Sequence, residues 1–275
     1  MKHFKLLMIL FIGVAISTAY SCKKDDPADE DPGGGTNPKK CYIKKETNGD
    51  GSYALIEYNS NNKVIKYSEF DSTGAADGYT NITYTNDNVT KLERIESGSV
   101  SFKIEYTYDA QGKPTKGKMF ADQGSGLTEL GFYEYVFSGD DMIEQSMTMD
   151  FMGQSIKVNK STFTYDAGNV KVMKTYAFDT QTLQLKLENT FDYVYDGKIN
   201  PYHGVGLDYL MGEVQFLSKA NPTKITVSDD QGAVMNDESY NIVYDYKDDK
   251  YPTKSTATAF DNSDTEVTSM EYECK

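Results

Sequence analysis

Tryptophan is missing from the 275 residues, and only two histidines and three cysteines occur. Each scarcity removes a class of chemistry. His3 lies in the N-terminal apolar stretch and His203 stands alone, so neither a Ser-His-Asp triad nor a His/Cys zinc set can be assembled. His203, beside Pro201 and Gly204, reads as a loop residue. Neither Gly33-Gly34-Gly35 nor a later glycine run lies between a strand and a helix, which leaves a phosphate cradle without support. No cofactor and no catalytic residue is assigned. Basic residues are outnumbered, 28 against 42 acids, for a formal charge of −14. Such a surface repels a phosphate backbone and excludes nucleic acid as a partner.

Long apolar runs are also scarce. Leu6 to Ile16 is nearly continuous, preceded by Lys2 and Lys5 and followed by Thr18-Ala19-Tyr20-Ser21 before Cys22. At roughly 11 residues the run is too short to span a bilayer and fits a secretion signal. Residues 1–21 are therefore read as a signal peptide and Cys22 as the lipidated first residue of the mature chain. Two or three acyl chains on one cysteine would anchor it to a membrane firmly. The other reading is an ordinary secreted protein with a free Cys22. Cleavage removes two lysines and no acid, leaving 26 basic against 42 acidic residues, or −16. Residues 22–40, with Asp25-Asp26-Pro27 and three glycines, carry nothing that could form a core and read as a solvated tether. Cys22-Lys23-Lys24-Asp25-Asp26 resembles the export signal of Bacteroidota lipoproteins that reach the outer face of the outer membrane. That resemblance implies a lipid-anchored protein facing the cell exterior.

With Cys22 used for lipid, Cys41 and Cys274 stand at the two ends of the remaining segment, 41–275. In an oxidising envelope an even pair suggests a disulfide, and a staple here would bring the first and last strands side by side. Two independent thiols are the alternative.

What the chain has in abundance is tyrosine, 22 residues. Tyr58-Asn59, Tyr84-Thr85-Asn86, Tyr108-Asp109, Tyr165-Asp166 and Tyr195-Asp196, with Phe137-Ser138-Gly139 as a variant, recur at intervals of 24 to 30 residues, and Tyr246-Lys247-Asp248 is a later version. A period in that range marks stacked supersecondary units. A second set of turns, including Phe70-Asp71-Ser72, Phe151-Met152-Gly153, Phe178-Asp179 and Phe260-Asp261, falls between them. Each period thus holds two strands and two turns built from Asp, Asn and Gly. Segments such as Phe102-Lys103-Ile104-Glu105-Tyr106 alternate, placing aromatics on one face and charge on the other. The expected fold is all-β: an antiparallel meander of about 14 to 16 strands, curled into a barrel-like or half-barrel sheet, because open sheets seldom exceed ~10 strands. A membrane-embedded barrel is excluded by outward residues such as Lys103, Glu105, Lys157 and Lys174. Leu207, Leu210, Met211, Val214 and Leu217 follow helical spacing, predicting one short helix near 205–218 that covers one end of the sheet.

The Tyr-Asp hairpins resemble the tyrosine-aspartate repeats of large secreted shell proteins. Together with the Cys22 tether and the insertion from Asn200-Pro201-Tyr202 to Asn221-Pro222-Thr223-Lys224, they more closely resemble a Bacteroidota lipoprotein family of unknown function with a porin-like β-fold. That likeness covers about 235 residues, implies a large curved antiparallel sheet, and brings no assigned activity or functional residue.

Three site readings remain. Glu46, Asn48, Asp50 and Glu57 match the ligand spacing of a calcium loop, but position 1 is Glu and the flanks read as strands, so a hairpin turn is the preferred reading. The tyrosines read as cross-strand packing with hydroxyls reaching water at the strand ends, or else as the lining of a cavity for a glycan, peptide or lipid-like ligand. Among 42 acids a hydrolytic pair acting on extracellular glycans needs only two. The preferred function is a non-catalytic, surface-anchored binding or scaffold module, bound to the membrane through Cys22. A glycan hydrolase and a structural partner of an outer-membrane protein are the alternatives.

Overall fold

A computed structural model describes residues 40–275 apart from 152, 211, 248 and 249. The signal segment, Cys22 and the tether up to residue 39 lie outside the described residues. The strands are β1 Cys41–Asn48, β2 Tyr53–Tyr58, β3 Val64–Phe70, β4 Ala76–Thr85, β5 Asn88–Glu96, β6 Ser99–Tyr108, β7 Pro114–Asp122 and β8 Leu127–Ser138. They continue as β9 Asp141–Phe151, β10 Gln154–Asp166, β11 Asn169–Asp179, β12 Gln184–Tyr195, β13 Pro222–Ser228, β14 Tyr240–Lys247, β15 Tyr251–Ala259 and β16 Thr265–Cys274. Each strand pairs antiparallel with the next, and β16 returns to β1, so the sheet is a closed barrel. Of the two expected forms, the half-barrel is ruled out: closure removes the exposed edges that an open sheet would carry.

The reason for closure lies at one rim. Seven hairpins there have a register shift immediately before an aromatic residue: Tyr58, Tyr84, Tyr108, Phe137, Tyr165, Tyr195 and Tyr246. A bulge leaves a residue unpaired in the ladder, and a carbonyl it frees inside the wall needs another donor. Tyrosine hydroxyls supply it. Tyr84 donates to the Val64 carbonyl at 2.8 Å, Tyr108 to Val89 at 2.7 Å, Tyr165 to Met142 at 2.9 Å and Tyr195 to Val170 at 2.7 Å. Tyr244 donates to Pro222 at 3.1 Å, Tyr272 to Pro252 at 2.6 Å, and Tyr58 to Ile43 at 2.8 Å. Every donor sits on an even strand and every acceptor on the odd strand before it, so each bond ties one rim hairpin to the preceding one. The circuit lapses between β7 and β8, where Phe137 has no hydroxyl. The tyrosines thus turn inward to backbone carbonyls instead of reaching water at the strand ends.

The eighth rim position has no turn, because the first and last strands of the barrel, β1 and β16, meet there. Cys41 faces Cys274 across β1 and β16, and a disulfide joins them over a sequence separation of 233. The bond takes the place of the missing turn, and Tyr58 and Tyr272 carry the hydroxyl circuit past it on either side.

The turns themselves follow local chemistry. In Tyr108-Asp109-Ala110-Gln111-Gly112, the Asp109 carboxylate accepts from the Gln111 and Lys113 amides at 2.9 and 2.8 Å. Gly112 adopts φ +78°, which explains the glycine in this repeat.

The long connection between β12 and β13 fills the same rim from inside. Its regular part is a single helical turn, α1 Val214–Leu217, shorter than the helix predicted near 205–218. Side-chain anchoring replaces helical hydrogen bonds over the rest. Asn200, 4% exposed, donates from Nδ2 to the carbonyls of Gln215 and Ser218 at 2.6 and 2.7 Å. The Val64 amide donates to Val205, Tyr135 donates to the Leu210 carbonyl, and Ser218 Oγ accepts from the Val170 amide. Val205, Leu210, Val214, Phe216 and Leu217 join wall residues Ile82, Leu92, Tyr106, Tyr135, Phe163 and Tyr193 in one buried cluster. The insertion is a plug.

The outer wall is wet. Lys91 faces Glu105, which in turn faces Lys118, and Glu93 faces Lys103. Lysine ammonium groups lie over outward rings, as with Lys103 Nζ above Phe120 at 4.2 Å and Lys160 Nζ above Tyr176 at 4.6 Å. A lysine facing lipid near the bilayer midplane costs about 2–4 kcal/mol, so these charged positions favour water over lipid.

Replacing Cys41 and Cys274 by Ser should lower the unfolding free energy by up to about 5 kcal/mol in the loop-entropy description. Urea melts of the variant, and of the parent with and without reductant, measure this. Coincident melts would show that the staple is dispensable.

Candidate functional site

The plug divides the interior. At its level the inward residues are sealed: Met142 and Val170 are 0% exposed and Val89 2%. Below it, inward residues that touch the cluster, such as Phe102, Tyr133, Met147, Met173, Phe191 and Ile225, stay only half-buried. The barrel is thus a cup, with the plug as floor and the second set of turns as rim.

Small residues shape the wall. Gly117 pairs with Tyr106 on one side and Tyr133 on the other, and a Cβ at this position would lie 3.0 Å from the Tyr106 ring. Gly78 makes room for Arg94, the chain's single arginine. Arg94 is 8% exposed, pairs with Glu69 and donates from Nε to Glu96 at 3.1 Å. Its charge is already matched.

Three carboxyls stand apart. Glu46, on β1, accepts from the hydroxyl of Tyr202 in the plug and from that of Tyr67 on β3 at 3.4 Å, which pins the floor to the disulfide-bearing strand. Burial pushes its carboxyl above the ordinary range, partly offset by the two hydroxyls. The same enclosure, with the Glu46 charge nearby, raises Tyr58 and Tyr272. Glu213 immediately precedes α1. Burial raises its pKa too, yet its side chain stays accessible while Val214 beside it is buried. Glu266, near the far rim on β16, shifts upward from burial and from Asp264.

The calcium reading of Glu46, Asn48, Asp50 and Glu57 does not survive. Glu46 points inward to Tyr202. Asn48 Nδ2 and Asp50 Oδ1 both bond Ser52 and close the turn, and Glu57 pairs on the outer wall with Lys66 at 3.6 Å. Alternation puts Glu46 and Glu57 on opposite faces of the wall, and Asp50 lies in the turn between β1 and β2. Among the described residues no group of three or more His, Cys, Asp or Glu could hold a metal ion. His203 Nδ1 lies 3.3 Å from the Phe216 carbonyl and 3.6 Å from Asp208, within the plug. Cys22 lies outside the described residues. Of the interior acids a hydrolase could draw on, Glu46 is committed to two hydroxyls and Glu69 to Arg94, while Glu213 in the plug and Glu266 near the far rim stand apart from each other. Sequence reasoning passed over Glu213 and Arg94. Arg94's uniqueness in the chain was a signal, whereas Glu213 had none.

No protein-family model and no curated protein matches the chain. Solved structures do. A porin-like protein from Bacteroides vulgatus superposes with a TM-score of 0.52 at 15% identity, covering 85% of this chain and 99% of that one. A second, from Bacteroides uniformis, gives 0.54 at 11% identity, covering 84% and 98%. The fold is that of these porin-like proteins. At such low identity the likeness concerns architecture alone, and no residue role passes across with it. In this porin-like barrel the plug, the Arg94 cluster and Glu213 rest on the chain's own geometry.

Because the folded state holds the Glu46 proton more tightly than the unfolded chain, stability falls as pH rises from about 4.5 through the raised value. Glu46→Gln removes that penalty. The variant should melt higher than the parent at pH 7, with the difference vanishing below pH 4. Glu213 and Glu266 shift the same way, so part of the parent's pH slope should persist. A variant equally destabilised at both pH values would show that the carboxylate itself is required.

Proposed function

We propose that this protein is a lipid-anchored binding module of the outer membrane, held through Cys22 on the 22–40 tether with its cup facing the cell exterior. The observation that carries the reading is the pairing of a charged outer wall with a plugged interior. A wall studded with Lys91, Lys103, Lys118 and their acid partners favours water over lipid. A floor bonded to β3, β8 and β11 leaves no open channel at the plugged rim, so the architecture supports capture over conduction. The half-buried aromatic and methionine lining suits a ligand site, since such sites are concave and mostly apolar with few polar groups. Of the interior acids, Glu46 and Glu69 are committed to Tyr202, Tyr67 and Arg94, and Glu213 and Glu266 lie on separate elements, which favours binding over hydrolysis by a carboxylate pair.

Fractionation tests the reading. The parent should incorporate labelled fatty acid, sediment with outer membranes and be shaved from intact cells by protease. Cys22→Ala should lose the label and shift to the soluble fraction, and purified protein should give no conductance in planar bilayers. Steady single-channel currents, or a Cys22→Ala protein that still sediments, would overturn it.

A further inference from the structure

We infer that the cup binds an organic cation, an amine or quaternary ammonium carried on an apolar body, with Glu213 as the counter-charge and Tyr133 and Tyr193 as aromatic walls. This deepens the binding-module reading and rests on it.

The argument starts from where Glu213 sits. Its neighbour Gly212 is pressed so closely onto Gln145 that a Cβ there would overlap the Gln145 amide. Gln145 faces Tyr135, whose hydroxyl holds the Leu210 carbonyl of the plug. On the other side Val214, Phe216 and Leu217 are buried. Glu213 therefore emerges at the underside of the plug, and its charge is felt by Tyr133 and Tyr193, the latter 5% exposed. Tyr133 lies one inward position deeper than Tyr135: along β8 the inward series runs Phe137, Tyr135, Tyr133 away from the plugged rim. A carboxylate near Tyr133 thus faces the hollow of the cup.

Its backbone carbonyl accepts from the Phe216 amide at 3.0 Å, but the Glu213 carboxylate forms no hydrogen bond and no ion pair among the described residues. The carboxylate is accessible while the residues on either side of it are packed into the plug, so it is free to meet a ligand from the hollow. The one arginine is matched by Glu69 and Glu96, so the wall offers it no counter-ion from there. An arriving cation would be its partner. Tyrosine faces beside a carboxylate attract ammonium groups through the ring quadrupole, most strongly where water is excluded. Phe102, Met147, Met173 and Phe191, all half-buried, would receive the apolar body, methionine adapting to its shape. An anionic ligand of the same shape would meet Glu213 as a like charge.

The test is a titration of the purified full-length mature protein with decyltrimethylammonium, decyl sulfate and a neutral decyl glycoside, each below its micelle concentration. Calorimetry reads binding, and far-UV circular dichroism verifies that the fold persists. The ammonium should bind at least about tenfold more tightly than the sulfate. Glu213→Gln should reduce ammonium affinity about tenfold and leave the neutral ligand unchanged. Glu271→Gln, on the outer wall, should alter neither, which separates the site from diffuse surface charge. Ammonium affinity should also fall as pH drops through the raised pKa of Glu213, since only the ionised form attracts the cation. Equal binding of all three compounds, or an indifferent Glu213→Gln, overturns the ammonium assignment while leaving a binding cup standing. Binding of none overturns the assignment and the binding reading together, and leaves the anchoring reading to its own fractionation test.

Discussion

The barrel depends on tyrosine hydroxyls satisfying backbone carbonyls that its bulges set free. A bulge at the end of each rim hairpin is needed to turn a 16-stranded meander tightly enough to close. The same bulge leaves an acceptor inside the wall, and an unpaired buried acceptor costs about 1–3 kcal/mol. Placing the donor on the adjacent hairpin makes one residue serve both needs: its ring packs in the interior, and its hydroxyl fastens its own hairpin to the one before. Repetition makes the effect cumulative, since no single hairpin could hold the curve alone.

Closure then decides what else the chain requires. The circuit must pass the seam between the first and last strands, and Cys41–Cys274 occupies it. The interior of so many strands is too wide for wall side chains alone to fill. An insertion placed at one hairpin supplies the missing volume at the rim where the tyrosines sit, and leaves the opposite half hollow. Glu46 joins the two devices, because it lies on the stapled strand and holds Tyr202 of the plug. The space below the plug is thus the remainder left by a structural solution, with the Glu213 carboxylate opening onto it.

Much of the wall was legible in the residues. Alternation in Phe102-Lys103-Ile104-Glu105-Tyr106 identified strand and facing, the Tyr-Asp period identified the hairpins, and the even cysteine pair pointed to adjoining ends. What stayed hidden depended on distance in three dimensions. Whether the sheet closed could not be read, because local pattern constrains neighbours and not the first strand against the sixteenth. The tyrosine hydroxyls were expected to find water, since their acceptors are carbonyls 15 to 25 residues earlier in the chain. The apolar spacing from Leu207 to Leu217 suggested a full helix, but Asn200 and Ser218 hold that segment by side-chain bonds, and only one turn forms. Glu46 has calcium-loop spacing by coincidence of a hairpin, and its role emerges only when Tyr202, 156 residues away, is brought against it.

The most direct measurement of the central claim is the stability of Tyr108→Phe against that of Tyr176→Phe. Tyr108 spends its hydroxyl on the Val89 carbonyl, whereas Tyr176 faces outward beneath Lys160. Chemical denaturation should show a loss of about 1–3 kcal/mol for the first and less than about 0.5 kcal/mol for the second. Equal, negligible losses at both positions would mean that the inward hydroxyls hold nothing, and that the barrel closes for some other reason.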